Sequence, residues 1–304
     1  MSDFNFNTGD ASQNDQEQNQ SNSNGNVNLQ QPQPEPNHQT LIPQIPNDDA
    51  PFVVLCGPPS SGKSMVLKCL GTYLYNNSDY TIAANKTLLN TPKYQRDCEE
   101  FDSIIGSLNI PMKNTVDYLL ADISENGTVK AHFLEAPGED FFSLDNDVET
   151  QNRSFKGYMD AITTTNGNKQ RKVIYIILLD LDSPVSFRND PETRQRYEAK
   201  MKRLYERYVI NKRGRRVILL YNKIDIPHNG ALGNINGPIN SKEIFNDAKR
   251  NYPKLFFTKK FLFWNIDNYT FLPFCTGSYP KEGGYYPADA VYSEALWKEI
   301  SKLW

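Results

Sequence analysis

The fold is decided by Phe52-Val53-Val54-Leu55-Cys56-Gly57-Pro58-Pro59-Ser60-Ser61-Gly62-Lys63-Ser64, which continues as Met65-Val66-Leu67-Lys68-Cys69-Leu70. The five apolar residues at its start predict a buried strand, and the run after Gly62 predicts a helix. Between them stands G-x-x-x-x-G-K-S, whose glycines let backbone N–H groups turn towards phosphate oxygens. In this pattern Lys63 brings positive charge to the β- and γ-phosphates, and the Ser64 hydroxyl binds Mg²⁺. The stretch predicts a nucleoside triphosphate site and does not distinguish ATP from GTP.

Apolar runs separated by helical stretches continue after this loop, as is typical of parallel strands joined by crossover helices. Asn126-Gly127 lies between two of the runs and favours an antiparallel hairpin, because such turns need positive φ. We therefore predict an α/β fold of the P-loop NTPase type, a three-layer sandwich with about six mostly parallel strands and one antiparallel hairpin at its edge. The predicted strands are Phe52–Cys56, Val116–Ser124, Val129–Glu135, Val173–Leu181, Val217–Tyr221 and Phe271–Cys275. The predicted helices are Lys63–Tyr75, one following Asp190-Pro191, Ser241–Lys249 and Asp289–Leu303.

The first 50 residues differ in composition from the rest of the chain. They contain 19 Asn or Gln, seven acids and no Lys or Arg. Such a stretch buries too little apolar surface to offset the entropy of ordering, so we predict a disordered acidic leader over 1–50 and one folded domain over 51–304. The chain carries a net charge of −3, which leaves +4 on residues 51–304 (33 basic, 29 acidic). This balance does not indicate a nucleic-acid-binding protein.

The cysteines and the apolar runs together predict the cellular compartment of the protein. The four cysteines lie far apart without a C-x-x-C pair, which favours a reducing compartment over a disulfide framework or a zinc cluster. The start of the sequence lacks the basic and apolar regions of a secretory signal, and no apolar run approaches the ~20 residues of a membrane span. We therefore predict a cytoplasmic protein with no transmembrane segment.

A second motif follows the apolar run Val217–Tyr221, namely Asn222-Lys223-Ile224-Asp225. A carboxylate placed after such a strand can accept two hydrogen bonds, from guanine N1–H and from the exocyclic amine. Adenine lacks this pair of donors, so a buried Asp225 would penalise ATP. The aliphatic stem of Lys223 can lie over the face of the base.

With these motifs in this order, the chain resembles the Ras-like P-loop GTPases of the translation-factor-related class. The resemblance implies that Asn222, Lys223 and Asp225 read guanine, and that the backbone of Cys275-Thr276-Gly277-Ser278 contacts the base carbonyl. It implies bound GTP or GDP with Mg²⁺. The implied nucleotide contacts are Gly57, Pro58, Pro59, Ser60, Ser61, Gly62, Lys63, Ser64, Asn222, Lys223, Asp225, Thr276, Gly277 and Ser278.

The segment Glu135-Ala136-Pro137-Gly138-Glu139 resembles the D-x-x-G element of this family, with Glu in place of Asp. The resemblance gives Glu135 the metal contact and the Gly138 amide a hydrogen bond to the γ-phosphate. Glu139 stands where the family orients the attacking water. Its carboxylate can polarise water but also repels the polyanion, so hydrolysis stays open while binding is predicted.

Thr115 stands before the predicted hairpin, where the first switch of the family closes a Thr over Mg²⁺ and the γ-phosphate. Thr87 and Thr91 compete for this role. The long stretch from Asn76 to Met112 either enlarges the first switch or supplies a helix around Pro92–Leu108. The implied metal ligands are Ser64, Thr115 and Glu135, and the implied catalytic residues are Lys63, Thr115, Gly138 and Glu139.

Three functions follow from these residues. The first is a switch that binds GTP or GDP with Mg²⁺, hydrolyses GTP slowly and works with a regulatory or effector protein. The second is a GTP-binding scaffold that does not turn over, suggested by Glu135 and Glu139. The third is a P-loop ATPase or kinase in which Asp180, at the end of an apolar strand, holds the metal.

The segment from Arg188 to Arg216 has eleven basic and four acidic residues, a net charge of +7. It suits contact with an anionic surface or with the acidic leader. Its aromatic residues recur with Met201 and Leu204 at helical spacing, so we predict that Tyr197, Tyr205 and Tyr208 pack in the core.

Overall fold

In a computed structural model the chain divides into two units, Met1–Gln39 and Thr40–Trp304. The structure describes residues 44–77, 79–105, 107, 118–138, 153–163, 171–180, 191–225, 241–261, 264–277 and 285–302. Most of the predicted leader lies outside the described residues, and the boundary predicted at residue 50 stays a prediction.

The described residues form nine strands and six α-helices. The strands are β1 (Phe52–Cys56), β2 (Tyr80–Ala84), β3 (Leu119–Glu125), β4 (Thr128–Glu135), β5 (Val173–Asp180), β6 (Arg215–Asn222), β7 (Thr258–Phe261), β8 (Trp264–Asp267) and β9 (Thr270–Pro273). The helices are α1 (Lys63–Asn77), α2 (Pro92–Ile105), α3 (Arg153–Thr163), α4 (Pro191–Tyr208), α5 (Ser241–Asn251) and α6 (Ala290–Ser301). A short 3-10 helix spans Pro253–Leu255.

Within the described residues, seven strands form one sheet in the order β2-β3-β4-β1-β5-β6-β9, while β7 and β8 form a separate hairpin. The neighbours from β4 to β9 in this order are parallel, whereas β3 is antiparallel to β2 and to β4. The predicted α/β class, with a mostly parallel sheet and an antiparallel edge, is confirmed. The additional edge strand is β2, which supplies the seventh strand where about six were predicted.

The core lies on both faces of this sheet. Every residue of β1 is buried, as expected for a central strand covered by helices on both sides. Helix α1 packs against α2 and α6, while the Tyr208 hydroxyl of α4 donates a hydrogen bond to Asp160 of α3. The apolar stripe of α4 faces the core, with Tyr197 and Tyr205 buried and Tyr208 half-buried, as predicted. No helix of the described ranges is long and apolar enough to cross a membrane.

Residues 44–50 lie against the end of the sheet at which β1 and β5 begin. The Gln44 N–H donates to the Leu88 carbonyl at 2.8 Å, and Ile45 packs against the core. The Asp48 carboxylate contacts Nε2 of the buried His132 at 2.9 Å. Although the composition assigned them to the leader, these residues therefore contact the folded unit.

Candidate nucleotide-binding site

The phosphate loop joins the buried end of β1 to the first residue of α1. Lys63 is only 7% exposed, and its ammonium group donates hydrogen bonds to the carbonyls of Gly57 and Pro58, each at 3.0 Å. Gly62 has a φ of 92°, and a Cβ there would lie 2.6 Å from Nδ2 of Asn222. Position 62 therefore needs glycine both for its backbone conformation and for the approach of the neighbouring loop.

The loop also contains two adjacent prolines. Pro58 and Pro59 have no N–H, so this loop offers a phosphate two fewer backbone donors than a loop without proline. Gly138 lies directly against it, because a Cβ at Gly138 would be 2.3 Å from the Pro59 nitrogen. The predicted γ-phosphate sensor and the phosphate loop are thus in contact.

The Ser64 hydroxyl donates a hydrogen bond to Oε1 of Glu135 at 2.6 Å. Sheet register explains the contact, since Glu135 of β4 pairs with Leu55 of β1, just before the loop. Asp180, the rival carboxylate, ends β5 on the other side of β1 and pairs with Asn222; its side chain lies outside the described residues. Among the carboxylates that the structure describes, Glu135 is the one bonded to Ser64.

The segment Asn222–Asp225 docks onto the phosphate loop. The fully buried Asn222 donates from Nδ2 to the Ser61 carbonyl at 2.9 Å, and Lys223 donates from Nζ to the Ser60 carbonyl at 2.9 Å. Ser60 and Lys223 both have positive φ, 60° and 61°, although neither is glycine or asparagine. A positive φ strains such residues and persists only where the surrounding structure enforces it. Here both strained residues lie where the phosphate loop contacts the loop after β6.

Asp225 lies beside the loop that follows β9. Burial raises the pKa of the Cys275 thiol well above its usual range, and the nearby Asp225 carboxylate adds to this effect. Backbone hydrogen bonds link the same two loops, from Phe274 N–H to the Tyr221 carbonyl at 2.7 Å and from Ile224 N–H to the Phe274 carbonyl at 3.4 Å. The predicted base-reading carboxylate and the predicted last motif are therefore neighbours.

Two residues that the sequence analysis did not select hold this last motif. The Thr276 carbonyl accepts hydrogen bonds from the Tyr285 hydroxyl at 2.6 Å and from the Cys69 thiol at 3.6 Å. Burial raises the pKa of Cys69 to about 11, so this thiol stays protonated and can donate. Both residues line a cavity of about 170 Å³ between α1 and α6. No local pattern marks them, because their roles depend on a meeting of distant segments.

The other two candidates for the first-switch threonine, Thr87 and Thr91, form hydrogen bonds with residues close to them in sequence. Thr91 precedes α2, and its hydroxyl accepts a hydrogen bond from Tyr94 N–H at 3.2 Å, as an N-cap does. The Thr87 hydroxyl donates to Oδ1 of Asn85 at 2.6 Å. Three predicted site residues lie outside the described residues, namely Thr115, Glu139 and Ser278. Their roles, and those of the other site residues, stay predictions.

Comparison of the sequence with protein families and with curated proteins finds no match. The chain is similar to solved structures of bacterial selenocysteine-specific elongation factor EF-Sec (12% identity, TM-score 0.36), Methanosarcina barkeri Roco2 RocCORdC bound to GDP (15%, 0.34) and the S. cerevisiae Ski7 GTPase-like domain bound to GTP (15%, 0.35). The matches cover 84%, 87% and 75% of this chain and 29%, 53% and 43% of the others. This chain therefore spans about half or less of the length of these structures.

Proposed function

We propose that this chain binds GTP and GDP with Mg²⁺ and hydrolyses GTP slowly, acting as a molecular switch. The observation that carries the proposal is the docking of Asn222 and Lys223 onto the carbonyls of Ser61 and Ser60. These two hydrogen bonds join a base-selective motif to a phosphate cradle. One bound molecule with a purine at one end and phosphates at the other suits such a pocket.

Guanine selectivity is assigned to Asp225. The backbone hydrogen bonds from Phe274 N–H to Tyr221 and from Ile224 N–H to Phe274 hold the segment before Asp225 against the last predicted motif. There the carboxylate would accept from guanine N1–H and the exocyclic amine. A purine without these donors would leave the carboxylate unpaired in the complex, and such mismatches discriminate strongly.

Mg²⁺ is assigned to Ser64 and Glu135, whose oxygens already meet at 2.6 Å. Hydroxyl and carboxylate oxygens are the hard ligands that Mg²⁺ prefers, together with phosphate oxygens. When bound, the ion neutralises phosphate charge. Positioning and charge neutralisation supply most of the catalysis in phosphoryl transfer. The proposal therefore includes a regulatory partner that contributes positive charge to the site.

A second candidate function is a scaffold that holds GTP without turning it over. It is favoured by the loss of two phosphate donors at Pro58 and Pro59, and by the close approach of Gly138 to Pro59. The predicted water-orienting residue, Glu139, would add repulsion towards the polyanion.

Titration of the full chain with fluorescent GDP, GTP and ATP, with Mg²⁺ and with EDTA, followed by single-turnover phosphate release, separates the candidates. The switch predicts a guanine preference, Mg²⁺-dependent affinity and slow phosphate release. The scaffold predicts the same binding without release. An ATP preference would support the enzyme that uses Asp180 and overturn both.

Asp225→Asn tests the base assignment directly. It should weaken GDP binding by about a hundredfold or more and favour xanthine nucleotides, because the amide offers a donor where guanine also donates. Asp267→Asn, at an exposed carboxylate of β8, is the matched control and should bind GDP normally. An unchanged guanine preference in Asp225→Asn would remove this assignment.

A further inference from the structure

Two arginines meet at the end of the sheet opposite to the phosphate loop. Arg171 lies two residues before β5, and Arg215 begins β6, directly paired with Val173 of β5. Burial lowers the pKa of Arg215, Tyr175 opposes this effect, and the positive charge of Arg171 adds to it. Phe52, at the start of β1, pairs with Val173, which places this cluster at the far end of β1 from Gly57.

Four hydrogen-bond donors at this place have no acceptor in the described part of the chain. They are Nε and Nη1 of Arg171, Nη1 of Arg215 and the Tyr175 hydroxyl. Arg171 is only 7% exposed and Tyr175 is fully buried. A buried donor without a partner is costly, and native proteins rarely leave several together. Within the described residues, the cluster therefore lacks an acceptor.

The acceptors already in place are neutral carbonyls. Nη2 of Arg171 donates to the carbonyls of Pro46 and Asp48 at 2.7 and 3.2 Å, and Nη2 of Arg215 donates to the Thr163 carbonyl at 3.3 Å. The Asp48 carboxylate instead contacts His132 through both of its oxygens, at 2.9 and 3.0 Å. The direct acceptors of the two guanidinium groups are thus neutral carbonyls, while the carboxylates of Asp48 and Asp49 act on Arg171 only through their charge.

We propose that Arg171, Arg215 and the Tyr175 hydroxyl bind an oxyanion, a phosphate or a carboxylate. A planar guanidinium presents paired donors that match two oxygens of such an anion, and charge-assisted hydrogen bonds are the strong ones. Arg215 is half-buried, so the site reaches solvent at this arginine. The site is separate from the nucleotide pocket and does not depend on its assignment.

Inorganic phosphate is the probe for this site, because its oxygens match the paired donors of a guanidinium group.

The test measures inorganic phosphate affinity by the phosphate dependence of thermal unfolding of the full chain. The variants are Arg215→Met, Tyr175→Phe and the matched control Arg216→Met, an exposed arginine next in sequence. Phosphate bound at the phosphate loop cancels in the comparison, because that loop is the same in all variants.

Arg215→Met and Tyr175→Phe should each bind phosphate about tenfold or more weakly than Arg216→Met. Equal affinities in the three variants overturn the site. Tyr175→Phe removes only the hydroxyl oxygen, so its phosphate affinity tests the site even if Arg215→Met does not fold.

Discussion

At the scale of single residues, Glu135 shows how one methylene changes a site. The family that the sequence resembles has Asp at this position. Here the longer side chain reaches the Ser64 hydroxyl directly, at 2.6 Å. The contact keeps a carboxylate at the start of α1. In the proposed Mg²⁺ site both oxygens would bind the ion, so this hydrogen bond would be exchanged for bonds to the metal.

His132 is a second residue whose chemistry depends on its neighbours. Burial lowers the pKa of His132, but Asp122 at 2.6 Å and Asp48 at 2.9 Å outweigh this effect and raise the pKa above its usual value. The folded protein therefore holds this proton more tightly than the unfolded chain does. Its contribution to stability is complete below the unfolded pKa of about 6.5 and is lost as pH rises through the raised folded pKa.

The expected result is a free energy of unfolding that falls as pH rises from about 6.5 into the alkaline range. His132→Gln cannot gain the proton, so its difference from the natural protein should be largest near the acidic end of this range and should shrink above it. Urea denaturation at several pH values measures this. His228→Gln controls for the loss of a histidine. A constant difference across the range would show that His132 does not carry the pH dependence.

At the scale of elements, the region between α1 and β3 contains a strand that the sequence analysis did not predict. The sequence left open whether this region enlarges the first switch or supplies a helix around Pro92–Leu108, and the described helix α2 spans Pro92–Ile105. The strand before it, β2, was not predicted because it is short and half-buried. Every second residue of β2, namely Tyr80, Ile82 and Ala84, packs against the core. Alternation over only five residues is a weak sequence signal for a strand.

Helix α2 begins at Pro92, and the role of Thr91 as its N-cap is testable. Thr91→Ala removes the acceptor for Tyr94 N–H and should lower the free energy of unfolding by about 1 kcal/mol. GDP affinity and its Mg²⁺ dependence should stay unchanged, since a cap acts on the helix. Thr87→Ala, at an exposed hydroxyl bonded only to a side chain of its own turn, should lose less stability. Loss of Mg²⁺-dependent binding in Thr91→Ala would instead give Thr91 the first-switch role.

At the scale of the whole molecule, residues 44–50 join the chain before the domain to the start of the sheet. Arg171 binds two carbonyls of this segment, His132 binds its Asp48, and Gln44 donates to Leu88. Each hydrogen bond contributes about 1 kcal/mol net. The segment behaves as a structural part of the folded unit, although its composition belongs to the leader.

A chain that begins at Pro51 should therefore unfold at a lower temperature than one that begins at Gln44. The expected difference is about 4 °C or more, because about 1 kcal/mol shifts the midpoint by 2–4 °C in a domain of this size. Differential scanning calorimetry of the two chains measures it, with the full chain as reference. Equal midpoints would mean that residues 44–50 lie on the domain without stabilising it.

Local patterns determined the strand–loop–helix at Phe52–Leu70, the hairpin at Asn126-Gly127 and most helices, because their signals come from residues adjacent in sequence or one turn apart. They also supplied the residues of the proposed nucleotide pocket, since each motif is short. Only the tertiary structure decided which carboxylate meets Ser64, that Asn222 binds Ser61, that Tyr285 holds Thr276, and that Arg171 and Arg215 lie at the same end of the sheet. The order and register of parallel strands set these contacts, and register joins segments far apart in the chain through packing that no local pattern records.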